Sequence, residues 1–169
     1  VEERISDRTI SELIHAVYAM GEVKTGALIV VEQNIILKEY EKTGIAIDSA
    51  ISSQLLINIF EHNTPLHDGA VIVRNDRIVA ATCYLPLSDN LALNKSLGTR
   101  HRAGVGISEV SDALTIIVSE ETGKVSYTMG GKIYTGVTPG TLREELNKLK
   151  AKPGSKEDSG KFKIWKGRG

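Results

Sequence analysis

The sequence predicts an α/β fold in which a central mixed, mainly antiparallel β-sheet is flanked by helices. Three observations carry this expectation. Apolar residues recur at helical spacing near both ends of the 169-residue chain. Short β-branched runs of strand length fill the interior, and several are joined by tight-turn residues, a connection that antiparallel neighbours permit and parallel ones do not. The length suits one domain with a sizeable core, and no metal or disulfide staple is needed for folding.

The elements follow in order. Ile10, Leu13, Ile14, Val17 and Met20 share one helical face behind the capping residues Ser6 and Asp7, with Gly21 as the expected end. GALIVVEQ from Gly26 reads as a central strand, and after a turn at Asn34 a second short apolar piece spans Ile35 to Leu37. Gly44 to Ser49 reads as a loop. Ser52 or Ser53 then caps a helix carrying Leu55, Leu56, Ile59 and Phe60, ending near His62. AVIVR and RIVAATCYL form a hairpin about Asn75 and Asp76, residues that tolerate a tight turn.

Leu85 to Asn94 reads as a polar connection, and Thr99 as the cap of a helix opening in GTRHRAGVGISEVS. ALTIIVSEETGKVSYTMGG supplies two strands around the turn Glu121 to Lys124. Thr138 and Pro139 start a last helix through TLREELNKL, proline being well tolerated at a first helical position. Residues 1–150 are thus expected to form one folded domain, and 151–169 a basic, flexible tail in which Phe162, Ile164 and Trp165 either dock or stay loose.

Composition narrows the function. Twenty-one basic residues balance twenty-one acidic ones, so a basic site must be a local cluster, and a general nucleic-acid binder is disfavoured. The single cysteine, Cys83, lies in an apolar run; it reads as core, fits a reducing compartment and excludes an intrachain disulfide. No run has the length of a membrane span, and the start lacks the order of a signal peptide. Opening on Val1, the chain is expected to be a piece of a longer protein.

Two constellations carry chemistry. In PLHDGAVIV, from Pro65 to Val73, Gly69 lets the backbone turn sharply or meet a ligand closely, which sets Asp68 at a strand entrance. Its carboxylate can hold a divalent cation or take a proton from a hydroxyl, and His67 can offer a neutral imidazole to the same cation. An ordinary hairpin turn is the competing reading of these four residues. In Gly98-Thr99-Arg100-His101-Arg102, two guanidinium groups stand in a helix's first turn, where the macrodipole disfavours cations unless an anion intervenes. Backbone donors, a hydroxyl and forked arginines suit a phosphate there, against a solvated basic face as the alternative. Together the two point to a metal-bound polyphosphate.

LHDGA at Leu66 to Ala70 and GTRHRA at Gly98 to Ala103, about thirty residues apart, resemble the paired Asp-Gly-Ala and Arg-His-Arg motifs of the diadenylate cyclase family. IVAATCYLPLS between them and the SEETG turn after them resemble its membrane-associated class from Gram-positive bacteria. The resemblance covers about Ser6 to Lys150. It implies the family's fold and the joining of two ATP molecules into cyclic di-AMP with release of two pyrophosphates, dependent on manganese, magnesium or cobalt.

By the same resemblance Asp68 is the catalytic carboxylate near the 3′-hydroxyl, Gly69 and Ala70 admit the nucleotide against bare backbone, and Arg100 acts in catalysis. Thr99, Arg100 and Arg102 hold phosphates, with Gly98 and His101 in the same substrate-binding set. Leu28 and Tyr84, with Leu85 beside it, flank adenine. Ser119 and Glu120 touch substrate, while His67, Asp68 and Glu121 face the metal. Tyr84 has a face suited to stacking, but a core aromatic beside Pro86 is an equal reading of the residues alone. His101 either orients an arginine or packs inward. His15 and His62 are left as helix-face residues.

One site holds one ATP whose 3′-hydroxyl cannot reach its own α-phosphate, so the family chemistry requires two facing sites and hence a homodimer. The resemblance also implies transmembrane helices upstream, making this chain a soluble fragment of a protein on the cytoplasmic side of the bacterial membrane. It brings as partners a membrane regulator with YbbR-type domains and phosphoglucosamine mutase. A non-catalytic module sensing ATP or cyclic di-AMP is the main rival. A metal phosphohydrolase is less favoured because the His67–Asp68 pair opens a strand, and RNA binding through Arg100 and Arg102 is weakened by zero net charge and few aromatics.

Overall fold

The computed structural model describes residues 5–150, so the tail expected from 151 onward lies outside the described residues. Twelve elements follow in the order α1 (Asp7–Glu22), β1 (Ala27–Val31), α2 (Lys38–Glu41), β2 (Ile45–Ala50), α3 (Ser53–Ile59), β3 (Ala70–Arg74), β4 (Arg77–Cys83), α4 (Thr99–Val110), β5 (Leu114–Val118), β6 (Val125–Met129), β7 (Lys132–Tyr134) and α5 (Pro139–Lys150). The seven strands form one sheet in the order β2-β4-β3-β1-β5-β6-β7. Only β1 and β3 pair in parallel; every other pairing is antiparallel, as the hairpin turns require.

The sheet is the middle of three layers. All five residues of β1 are buried, because helices cover both its faces. Ala27, Ile29 and Val31 face the apolar stripes of α1, α3 and α5, which supply Leu13, Val17, Leu56 and Leu146 among others. Leu28 and Val30 face the opposite way, toward Ala103 and Ile107 of α4 and Leu37 before α2. The period-2 alternation of one strand thus builds two cores.

Local chemistry fixes the ends. Ser6 caps α1 by accepting from the Thr9 N–H, and Ser52 caps α3 by accepting from the Leu55 N–H. Asn75 adopts φ 56° in the β3–β4 turn, and the Asp76 carboxylate accepts from Ser6 N at 2.8 Å and Thr9 Oγ1 at 2.7 Å, pinning the hairpin to α1. At the far end of β1 the buried Glu32 carboxylate accepts from Arg74 Nε at 2.7 Å, Arg74 Nη2 at 2.9 Å and Leu37 N at 3.0 Å. Arg74 Nη2 also reaches Glu41 Oε1 at 2.7 Å, so one guanidinium ties β3, α2 and the end of β1 together.

Several expectations are corrected. Gly44 to Ser49 is not a loop: Ile45–Ala50 is the edge strand β2, bulged where Asp48 takes φ 51°. Ile35 and Ile36 lie outside any element, Leu37 is the N-cap of α2, and α2 itself went unforeseen, as did β7. The first helix runs one residue past Gly21, α3 stops at Ile59, and Gly98 rather than Thr99 is the N-cap of α4.

Candidate active site

The starts of the parallel pair β1 and β3 and the ends of β4 and β5 meet at one end of the sheet, where the first turn of α4 also arrives. Between them lies a cavity of about 700 Å³, within the range of about 300–1,000 Å³ typical of small-molecule sites. Its wall includes Leu28 from β1, His67, Asp68 and Gly69 before β3, and Tyr84 and Leu85 after β4. Gly98, Thr99, Arg100 and His101 come from the start of α4, and Ser119, Glu120 and Glu121 from the turn after β5. The two motifs read as separate in the text therefore open onto the same space.

Gly69 is required by its surroundings. Its φ is +82°, and a Cβ there would stand 2.8 Å from both the Cys83 carbonyl oxygen and the Thr82 carbonyl carbon. Thr82 itself has φ 51°, an uncommon conformation for a β-branched residue, at a register shift between β3 and β4. This paired distortion brings the strand entrance and the strand exit close together. Asp68 projects from it with its side chain 78% exposed, so the carboxylate keeps its hydration until a ligand displaces it.

His67 is oriented from behind. Its Nδ1–H donates to the Thr64 carbonyl at 2.7 Å, so in a neutral ring Nε2 carries the lone pair, 3.4 Å from Asp68 Oδ1. Two donors at that separation can share one cation. Among the described residues no three His, Cys, Asp or Glu side chains converge as a ready-made metal cage. Magnesium-type ions commonly take one or two carboxylates and complete their shell with phosphate oxygens and water, so a two-donor protein site fits a cation delivered with a polyphosphate. The charge balance agrees: Asp68, Glu120 and Glu121 outnumber Arg100 on the wall, and a triphosphate entering alone would meet net negative charge.

The start of α4 carries no side-chain cap, so its first backbone N–H groups remain for an anion. Arg100 is mostly buried, its Nη1 3.3 Å from Glu120 Oε1. His101 is buried with Nδ1 lacking any partner, and desolvation, with the neighbouring Arg100 charge, pushes its pKa below the ordinary value although Glu121 acts in the other direction. The Ser119 hydroxyl accepts from the Glu121 and Thr122 N–H groups, shaping the turn while its own O–H remains a donor. Tyr84 is two-thirds exposed, which removes the reading of it as a core aromatic.

Two expected members stand apart. Ala70 is fully buried beneath the wall, and Arg102 does not line the cavity. Conversely, His62 lies beyond α3 and lines the cavity with Leu87 and Ser96, although it read as a helix-face residue. Its ring meets that of His67 edge-on at 5.8 Å. Cys83 is buried as expected, and desolvation, with the Glu41 charge, raises its thiol pKa to about 11.

The DAC family model, described as DisA bacterial checkpoint controller nucleotide-binding, matches residues 14–133. Cyclic di-AMP synthase CdaA of Bacillus subtilis is 46% identical over 166 residues, covering 98% of this chain and 60% of that protein. Diadenylate cyclase of Listeria monocytogenes is 47% identical over 165 residues, with the same coverage. The chain therefore spans about 60% of the length of these relatives. A crystal structure of a double mutant of DacA from Staphylococcus aureus superposes with a TM-score of 0.83 at 51% identity, covering 85% of this chain and 95% of that one. A hypothetical membrane spanning protein from Bacillus cereus gives 0.74 at 44% identity, covering 76% and 63%.

Proposed function

We infer, from the premise that this chain belongs to the DAC family, that it is a diadenylate cyclase, joining two ATP molecules into cyclic di-AMP and releasing two pyrophosphates. The observation that supports this most directly is that Asp68 and Arg100 line one cavity with Leu28 and Tyr84, an acidic corner and a cationic one flanked by surfaces suited to a base.

In this reading adenine lies between Leu28 and Tyr84, and the phosphates run toward the open start of α4. Thr99, Arg100 and the first N–H groups of the helix neutralise charge that grows at phosphorus as the reaction proceeds. Asp68 accepts the proton of a 3′-hydroxyl. The oxygen then forms a bond to the α-phosphorus of the other nucleotide, the bond from that phosphorus to the bridging oxygen breaks, and pyrophosphate leaves; a second turn closes the ring. A divalent cation, manganese, magnesium or cobalt, would be held by His67 and Asp68 together with the substrate's phosphate oxygens, with Glu121 adding negative charge from the same wall, and would supply charge neutralisation along the triphosphate. Arg102, turned away from the cavity, is left out of the phosphate set.

The exposure of Asp68 and Tyr84 at the mouth fits a reaction completed by a second copy of the site, so a homodimer is the working unit. No helix among the described residues is long and apolar enough to cross a membrane. We place the domain on the cytoplasmic side of a bacterial membrane within a longer protein. The regulator with YbbR-type domains and phosphoglucosamine mutase stand as its expected partners, to be sought by co-purification.

Incubation with ATP and manganese, at protein concentrations that permit dimers, tests the reading by chromatography of the products. Cyclic di-AMP with pyrophosphate is the expected outcome. ATP or cyclic di-AMP bound without turnover would leave a sensing module, and released phosphate or ADP would indicate a phosphohydrolase.

A further inference from the structure

We propose that Gly26 is a positioning residue for the cyclase reaction, acting through Arg100. Gly26 precedes β1, and its φ lies outside the left-handed region, so backbone conformation alone does not call for glycine there. The space beside it does. A Cβ at this position would lie 2.6 Å from Arg100 Cζ and 3.1 Å from Nη2, and the three nearest atoms all belong to that guanidinium. The guanidinium occupies the space beside bare backbone that any side chain at position 26 would fill.

The second support of Arg100 is the Glu120 carboxylate at 3.3 Å, itself 63% exposed. An ion pair so open to water contributes little. Shape at Gly26 therefore sets where the guanidinium rests. A smaller adjoining cavity of about 300 Å³, lined by Lys24, Thr25 and Gly26, also has Arg100 on its wall, so the side chain stands between the two spaces. A methyl group at position 26 would tip the guanidinium off its seat, toward the main cavity or away from Glu120. The obstructing atoms are the tip of a flexible side chain, so β1 has no need to move and the fold should persist.

The inference rests on the cyclase reading of the main cavity, and its test separates the two. Gly26→Ala, Arg100→Ala and the double variant are compared with the parent by melting temperature and by initial rates of cyclic di-AMP formation from ATP and manganese. Gly26→Ala is expected to melt with the parent and to lose about ten- to a hundredfold in kcat/KM, the order of effect of a displacement near 1 Å. In the Arg100→Ala background the same change should cost nothing further. A crystal structure of Gly26→Ala should show the guanidinium displaced while Ala27–Val31 stays in place. Equal losses in both backgrounds, no loss in the parent background, or an unmoved Arg100 would overturn the proposal. A parent chain that makes no dinucleotide refutes the cyclase reading instead, and the crystal structure still decides whether Gly26 seats Arg100.

Discussion

Replacing Asp68 by asparagine isolates the chemical step more cleanly than any other single change. The side chain is 78% exposed and approaches His67 Nε2 at 3.4 Å, so the amide removes charge and basicity without opening a cavity or stranding a buried partner. A surface change of this kind usually alters stability by no more than about 0.5 kcal/mol, which keeps the melting temperature near that of the parent. In the proposed reading adenine and phosphate contacts run through Leu28, Tyr84, Thr99 and Arg100, all untouched, so affinity for ATP should fall only by the share that Asp68 contributes through the cation, to which His67 and the phosphates still bind. Loss of a positioned base is worth about 10² to 10⁴ in rate. At about 1.4 kcal/mol per factor of ten, the barrier should rise by about 3–5 kcal/mol. The assay is a single-turnover measurement of cyclic di-AMP beside calorimetric titration with ATP. A variant that binds ATP normally and still turns over within about threefold of the parent would refute the assignment of Asp68 as proton acceptor.

Three further outcomes are expected. Tyr84→Ala should raise KM for ATP by about five- to a hundredfold, from the about 1–3 kcal/mol that base stacking contributes, while leaving the melting curve nearly unmoved because the ring is exposed. Glu32→Gln should lower the urea midpoint without altering KM, because it leaves the largely buried Arg74 guanidinium short of its charge partner at the end of β1 remote from the cavity. Glu41 still reaches Arg74, so the cost should fall toward the lower end of the about 3–5 kcal/mol typical of broken buried pairs. His101 has a folded-state pKa held below its ordinary value of 6.5, so folding favours its neutral form. Its stabilising contribution is complete above that unfolded value and is lost as pH falls through the folded one, so the melting temperature of the parent should fall from pH 7 to 5 more steeply than that of His101→Gln.

What could be read from the text and what could not divides along physical lines. Strand β1 was legible because a run of five residues buried on both faces must be uniformly apolar. Strand β2 was not. It is an edge strand, half exposed, with Ile47 and Asp48 in a bulge, and what makes Ile45–Ala50 a strand is its pairing with β4 rather than its own composition. Strand β7 has three residues after two glycines, and it gains its hold through pairing with β6 and the stacking of Tyr134 on Tyr127 at 4.7 Å. In the cavity, Asp68 was visible because an acid beside a glycine at a strand mouth is locally odd, and Arg100 because a cation in a helix's first turn is locally unfavourable. Gly26 carries no such mark: its reason for being glycine is a guanidinium more than seventy positions away in the chain.

Arg102 is a different kind of miss, because helical spacing alone does not decide it. On an α-helix positions two apart point about 200° from one another, yet Thr99, His101 and Ala103, each two apart from the next, all line the cavity at the start of α4. Arg102 does not line it, and its carbonyl accepts from the Ser88 N–H at 3.0 Å in the connection after β4. The same geometry separates the consequences of losing each arginine. Removal of the Arg100 guanidinium should act on nucleotide turnover within one subunit. Removal of the Arg102 side chain should leave ATP affinity unchanged, and a large loss of affinity in Arg102→Ala would return its side chain to the phosphate set.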